Sequence, residues 1–356
     1  MSRAATHRLP LGSPKAATVT FVVLLVVLLV SICVAVSLGP VYIPLDTVVE
    51  VIARRLGLGE FPDVTLLDDQ IVWQLRMPRA LGAAATGAVL AVTGAVLQSL
   101  TRNDLADPYL LGVSSGATVG AVLVLVLGVS VAGLAGNVMI TVSAFVGAVT
   151  ALIVVLLLAT GRSGALPPTR VILAGVAVGQ ICTALTSLIV MLSGQPDAAR
   201  RVMAWTLGSL AGLRWGSAVF LMIVAVVGAA LVLLFATQLD AFAFGESAAA
   251  SLGIAVERLR WTLLIGMAML VACVVAFTGA IGFVGLVVPH VVRIVLGPLH
   301  RRLLPVSALA GAALLIWADT VARTVVPGQE IPIGVVTALI GAPVFAYLLR
   351  RRGSHL

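Results

Sequence analysis

Lysine is almost missing from this chain: Lys15 is the only one in 356 residues. A phosphate-binding loop needs Gly-Lys-Ser/Thr, and Lys15 follows Pro14, so no such loop exists here. Any ATP spent alongside this chain is hydrolysed by another subunit. Charged residues make up only 10%, against about 25% in an ordinary soluble domain. Cysteine is limited to Cys33, Cys182 and Cys273, far apart and each inside an apolar run. That excludes a disulfide frame and a C-x-x-C metal site, and leaves them as small buried hydrophobes. His290 and His300 flank Arg293 while His7 and His355 lie in the tails, so no pair has metal-ligand spacing and no bound metal is expected. The net charge of +8 sits beside apolar runs with no basic stripe interleaved with aromatics, so nucleic acid is not an expected partner.

What the chain does have is hydrophobic sequence, 61% of it. Uncharged apolar runs recur from end to end and predict an all-α, polytopic membrane protein embedded in the lipid bilayer. Ten spans are expected at approximately 17–38, 80–99, 113–133, 137–160, 170–192, 215–236, 259–280, 284–297, 303–320 and 332–350. Ala35-Val36-Ser37 resembles a cleavage site, but the apolar run from Ala16 to Leu38 exceeds the roughly 7–15 residues of a signal core, so an uncleaved helix is expected. With both termini cytoplasmic, fourteen of the twenty-two basic residues fall inside, in keeping with the positive-inside rule. The expected organisation is a cytoplasmic tail over 1–16, a membrane domain over 17–350 and a cytoplasmic tail over 351–356. Extracytoplasmic segments are expected near 39–79 and 193–214, and a cytoplasmic segment near 237–260. Thr47-Val-Val-Glu50 reads as a capping box opening one surface helix, and Pro196 to Leu210 as another.

One apolar stretch is broken. Thr278 to Arg293 carries glycines at 279, 282 and 285 and then Pro289. Irregular backbone at membrane depth is tolerated only where protein or a water-filled cavity satisfies it, which suggests a transport path.

Several motifs carry a resemblance. They are Arg76-Met-Pro-Arg79, Thr101-Arg-Asn-Asp-Leu-Ala-Asp-Pro-Tyr-Leu-Leu-Gly-Val-Ser-Ser-Gly-Ala117, Leu173-Ala-Gly-Val-Ala177, Gly245-Glu246 leading to Ser251-Leu-Gly253, Gly282-Phe-Val-Gly-Leu-Val-Val-Pro-His290, Ala318-Asp319, Ala322-Arg323 and Ile331-Pro-Ile-Gly-Val-Val-Thr-Ala-Leu-Ile-Gly-Ala-Pro343. In order, from about Val72 to Leu349, they resemble the iron-chelate and cobalamin ABC importer permeases. Asp104 departs from the family, which usually has proline there, and is expected to loosen one cytoplasmic turn. The resemblance implies the type II ABC importer permease architecture: ten helices per subunit, a second permease subunit, identical or related, two cytoplasmic ATPase subunits and an extracytoplasmic substrate-binding protein. It implies no cofactor on this chain, with ATP and Mg used by the partner ATPase.

The resemblance also assigns sites. Arg76, Arg79 and Arg323 match arginines that receive glutamates of the binding protein; a planar guanidinium suits a carboxylate. The bland reading makes them headgroup anchors, with Arg323 paired to Asp319 one turn earlier. Gly245, Glu246, Ser247, Ala248, Ala249 and Leu252 read as a short helix stopped by Gly253, with helix resuming over 255–260. Two short helices at an angle form a knob similar to the coupling helices that fit the ATPase; an ordinary loop is the alternative. Ser114, Ser115, Gly116, Gly175, Gly334 and Thr337 place small residues on the third, fifth and tenth spans. They serve close helix packing, or they face the path. Pro168 and Thr169 fall, by resemblance, at the cytoplasmic gate.

Thr93-Gly-Ala95 recurs as Thr278-Gly-Ala280, a pattern that fits inverted repeats of spans two to five and seven to ten. Asp319 is the one acid near a span, read as a local ion pair rather than a proton relay. An ion-coupled secondary transporter would bury more ionisable groups than this. The expected function is a non-enzymatic transport subunit of the inner membrane carrying a ferric siderophore, with cobalamin or haem as the alternative.

Overall fold

The computed structural model describes residues 14–128, 136–161, 164–242 and 244–353, and every regular element among them is helical. α1 (Pro14–Ser37) precedes the short α2 (Leu45–Arg55). A continuous helix runs from Leu66 to Thr101, made of α3 (Leu66–Asp69), a π-helical stretch (Gln70–Arg76) and α4 (Met77–Thr101). A 3-10 turn (Pro108–Leu111) leads to α5 (Val113–Leu125), α6 (Gly136–Ala159), α7 (Pro168–Leu192), the short α8 (Ala198–Thr206) and α9 (Trp215–Leu234). Two short helices follow, α10 (Ala236–Phe242) and α11 (Glu246–Ser251). The chain closes with α12 (Val256–Thr278), α13 (Val284–Leu296), α14 (His300–Thr324) and α15 (Ile333–Gly353). Among the described residues, seven helices are long and apolar enough to cross a membrane, and three shorter apolar ones, in α5, α13 and α15, stand at the remaining expected spans.

Four expectations need correcting. The second span does not start beside Pro78: the helix begins at Leu66, because the π stretch, closed by the Met77 N–H on the Val72 carbonyl, widens the turn that proline would otherwise break. The third span stops at Leu125, and residues 129–133 of the expected run lie outside the described residues. Thr47 does not cap α2, which opens two residues earlier at Leu45 after Pro44, so Thr47 already lies in the first turn with its N–H on Asp46. The turn of helix expected over 255–260 is the start of α12 itself, and the separate short partner of α11 is α10.

Packing in lipid gains nothing from excluding water, so helices must approach closely. α4 is the centre of the bundle, touching α9, α12, α13 and α14. Its glycines make this possible: a Cβ on Gly94 would lie 1.8 Å from the Gly285 carbonyl oxygen of α13, and one on Gly87 would lie 2.1 Å from that of Gly311 in α14. By contrast α1 exposes Val19, Val22, Val26 and Val30 along one side, an apolar face suited to lipid.

Helix lengths repeat in order. α4, α5, α6 and α7 have 25, 13, 24 and 25 residues, and α12, α13, α14 and α15 have 23, 13, 25 and 21. Both short members open on a left-handed residue, Gly112 at φ 73° and Phe283 at φ 68°. The Thr-Gly-Ala echo is not equivalent, since Thr93 lies inside α4 while Thr278 ends α12; the repeat is carried by helix order and length.

Candidate functional site

At the end of the bundle carrying α2 and α8, an open basin of about 340 Å³ is lined by Arg76, Arg79, Arg214, Arg323 and Glu330. The arginines expected to dock a partner already hold partners within the chain. Arg76 is buried and donates to the carbonyls of Val36 at 2.8 Å, Ser37 at 2.9 Å and Val41. The Val36 and Ser37 carbonyls end α1 and have no helical donor, so Arg76 caps that helix and ties it to Val41 in the turn that follows. Arg79 forks onto Asp319, with contacts of 2.9–3.1 Å, and onto both oxygens of Glu330 at 2.9 and 3.1 Å. Arg323 is buried between the Ala35 carbonyl and Asp319, the latter at 3.4 Å. Asp319 thus forms the expected local pair and a second, long-range one. Four arginines face two carboxylates, and the basin stays positive.

At the opposite end, the two short helices that sit together are α10 and α11, in place of the expected pairing of α11 with a turn over 255–260. Gly253, at φ 82°, turns the chain out of α11. Ala249 is fully buried, Ala248 and Glu246 are half-buried, and Ser247, Leu252 and Gly253 are exposed. The outward face is therefore Ser247, Ala250, Ser251 and Leu252, and a bulky side chain at Ala249 would disrupt the knob from within. Two large apolar side chains stand free of the bundle here, Phe244 at 79% exposure and Leu252 at 71%. Phe244 escaped sequence reasoning; its signal was an aromatic next to a glycine outside any span.

The same end is tied together by charge. Asp104, expected to loosen its turn, holds it instead: its carboxylate lies 2.7 Å from the Arg293 guanidinium and 4.0 Å from His290. His300 bridges Asp240 at 2.7 Å and Ser99 at 2.6 Å, joining α10, α14 and α4. Asp107 caps the 3-10 turn by accepting the Tyr109 N–H at 2.8 Å, and burial pushes its carboxyl up to about 6. A raised folded value means that ionisation opposes folding, so this contribution to stability declines from about pH 4 to about pH 6 and is flat above. Asp107→Asn keeps the acceptor without the charge. Thermal unfolding should show it more stable than the native chain near pH 7, by at most about 3 kcal/mol, with no gain near pH 4.

The small residues expected along the path are used in helix crossings. A Cβ on Gly116 would meet the Gly147 carbonyl oxygen at 2.4 Å, one on Gly175 the Leu110 oxygen at 1.7 Å, and one on Gly334 the Leu207 oxygen at 2.4 Å. Thr337 is buried and donates to the Gly334 carbonyl at 3.2 Å. Ser114 and Ser115 are half-buried in the first turn of α5, and Pro168 and Thr169 open α7, with Thr169 exposed. A different stripe was missed. Gln180, Thr183 and Ser187 are all exposed on α7, at spacings of three and four that align them on one face. Thr183 and Ser187 satisfy their hydroxyls on carbonyls four residues earlier, whereas a glutamine amide facing lipid would be costly. That face suits a polar path or a partner helix, and its signal was three polar residues at helical spacing in an apolar run.

Comparison with known proteins agrees with this architecture. The model of the FecCD transport family matches residues 26–351. The cobalamin import system permease protein BtuC of Halobacterium salinarum is 47% identical over 79% of this chain and 74% of its own length. The vitamin B12 import system permease protein BtuC of Vibrio cholerae is 42% identical over 85% of this chain and 90% of its own. A solved inward-facing structure, described as a metal-chelate type ABC transporter, superposes with a TM-score of 0.79 at 30% identity, covering 93% of this chain and 98% of that one. The family model's match over residues 26–351 and these relatives, with seven spans and three shorter apolar helices in the expected order, place this multi-pass membrane protein in the FecCD transport family as a permease subunit of an ABC importer.

Proposed function

We propose that the cargo is a corrinoid, cobalamin, with a ferric siderophore as the alternative. The observation that carries this reading is that relatives 47% and 42% identical over most of the chain are named for cobalamin and vitamin B12 import. The chain lies in the inner membrane with both termini cytoplasmic and pairs with a second permease subunit, identical or related. The α11 end meets two ATPase subunits, which bind the ATP and Mg, through the apolar pair Phe244 and Leu252. The α2 end receives the substrate-binding protein on the positive basin, and the polar face of α7 borders the path. Gln180, Thr183 and Ser187 offer weak hydrogen bonds, which let a bulky chelate pass without being held.

Docking at the basin has a specific requirement. The Arg79 fork is occupied by Glu330, which must share it or yield it to an incoming carboxylate. Glu330→Gln should tighten binding-protein affinity about 2- to 5-fold at low salt, and Arg214→Glu should weaken it by a similar factor, both effects shrinking as salt rises. Titration of the detergent-solubilised complex at two ionic strengths checks this; affinities that ignore both changes would remove the basin from the docking surface.

The cargo is tested by uptake of labelled cobalamin and a ferric-siderophore panel in cells with and without this gene. Loss of cobalamin uptake alone supports the reading. Loss of one siderophore, with cobalamin uptake intact, replaces it with the alternative.

A further inference from the structure

Arg260, in the second turn of α12, has a side chain only 3% exposed, yet it reaches three separate parts of the chain. Its guanidinium lies 2.6 Å from Glu246, the first residue of α11, and 2.8 Å from Glu257, in the first turn of α12. It also donates to the Leu166 carbonyl at 3.3 Å. Glu257 closes the loop by accepting the Leu166 N–H at 3.2 Å, and Trp261 donates to the Gly164 carbonyl at 3.1 Å. Leu166 is fully buried and runs directly into Pro167 and Pro168, which open α7. The turn before it is itself closed, by Gly164 N–H to the Gly161 carbonyl at 2.9 Å and Gly161 N–H to that of Ala165 at 3.1 Å. Proline fixes its own φ and restricts the residue before it, so Leu166 cannot shift without carrying the first turn of α7.

We propose that Arg260 is a positioning residue for transport, tying α11 to the turn that opens α7 so that a displacement of the knob is delivered to the polar face of α7. This rests on the reading of α11 as the ATPase-facing element. The arrangement exceeds what stability asks of it. The two carboxylates stay 45% and 47% exposed, so water can solvate them without a buried partner, and a buried ionic cluster replaced as a unit by well-packed apolar side chains often costs little. A planar fork is what can hold two carboxylates and a carbonyl at once; a lysine ammonium is a single point charge on a flexible stem.

The test uses the permease with its ATPase and binding protein in proteoliposomes, and reads three quantities: ATPase subunit co-purified, ATP hydrolysed, and labelled cobalamin taken up. Arg260→Met keeps the packed stem and removes the fork. It should co-purify the ATPase and hydrolyse ATP like the native chain, while uptake per ATP falls about 5- to 30-fold. Arg260→Lys should recover only part of that loss. Glu246→Gln, which removes the charge from a half-buried carboxylate and keeps its shape, should lower the same ratio in the same direction even if Arg260→Met fails to fold. Unchanged uptake per ATP in Glu246→Gln, or in a folded Arg260→Met, overturns the proposal. A native chain that recruits no ATPase overturns the reading of α11 and this proposal with it.

Discussion

Gly94→Val is expected to leave no folded permease. α4 is packed on nearly all sides, and its Gly94 faces the Gly285 carbonyl of α13 so closely that a bare Cβ would stand 1.8 Å from that oxygen. The obstacle is backbone on both sides, so no rotamer change relieves it. The helices must separate by more than an ångström over a contact whose whole stabilisation is close packing, because lipid tails supply no hydrophobic drive between helices. Overpacking costs about 1–3 kcal/mol where neighbours can give, and here they cannot, so loss of the native state is the expected result. Size-exclusion profiles and protease resistance in detergent measure it. A monodisperse, resistant Gly94→Val protein would mean that α4 and α13 do not cross as described.

Leu252→Asp should do the reverse: an intact permease with no transport. Leu252 is 71% exposed at the end of α11, and Phe244 stands 79% exposed on the other side of it. On the proposed reading of α11 as the ATPase-facing element, these two side chains are where the ATPase subunits dock. A carboxylate there would be buried without a partner on assembly, a penalty of several kcal/mol and hence a fall of about 100-fold or more in ATPase affinity. Folding should be untouched, since Leu252 supports nothing inside the chain. Co-purification of the ATPase with Leu252→Asp and with Phe244→Asp checks this, and native-like recovery would move the docking surface elsewhere.

Much of the architecture was legible because a bilayer leaves few choices. The apolar runs gave the spans, and Gly253 marked the turn after α11. What stayed hidden depended on contacts far apart in sequence. Pro78 read as a helix start because nothing local announces a π turn ahead of it. Arg76 and Arg79 read as outward-facing, yet their partners are carbonyls at the end of α1 and carboxylates on and after α14, some 240 residues beyond Arg79, whereas the pair of Arg323 with Asp319, four residues apart, was legible. Asp104 read as a weakness for the same reason: Arg293, which it holds, lies 189 residues away. The glycines at 116, 175 and 334 were legible as small residues, but whether they face a path or a backbone is decided by the neighbouring helix. The stripe at Gln180, Thr183 and Ser187 could have been found by counting polar positions at helical spacing.

The central claim is an ATP-driven importer permease for a corrinoid. Its most direct test is labelled cobalamin uptake into proteoliposomes holding this permease with its ATPase, the binding protein added outside. The account predicts accumulation that needs enclosed ATP and Mg, persists with a proton ionophore and vanishes when the ATPase is inactivated. Uptake that proceeds without ATP and collapses with the proton gradient would contradict it.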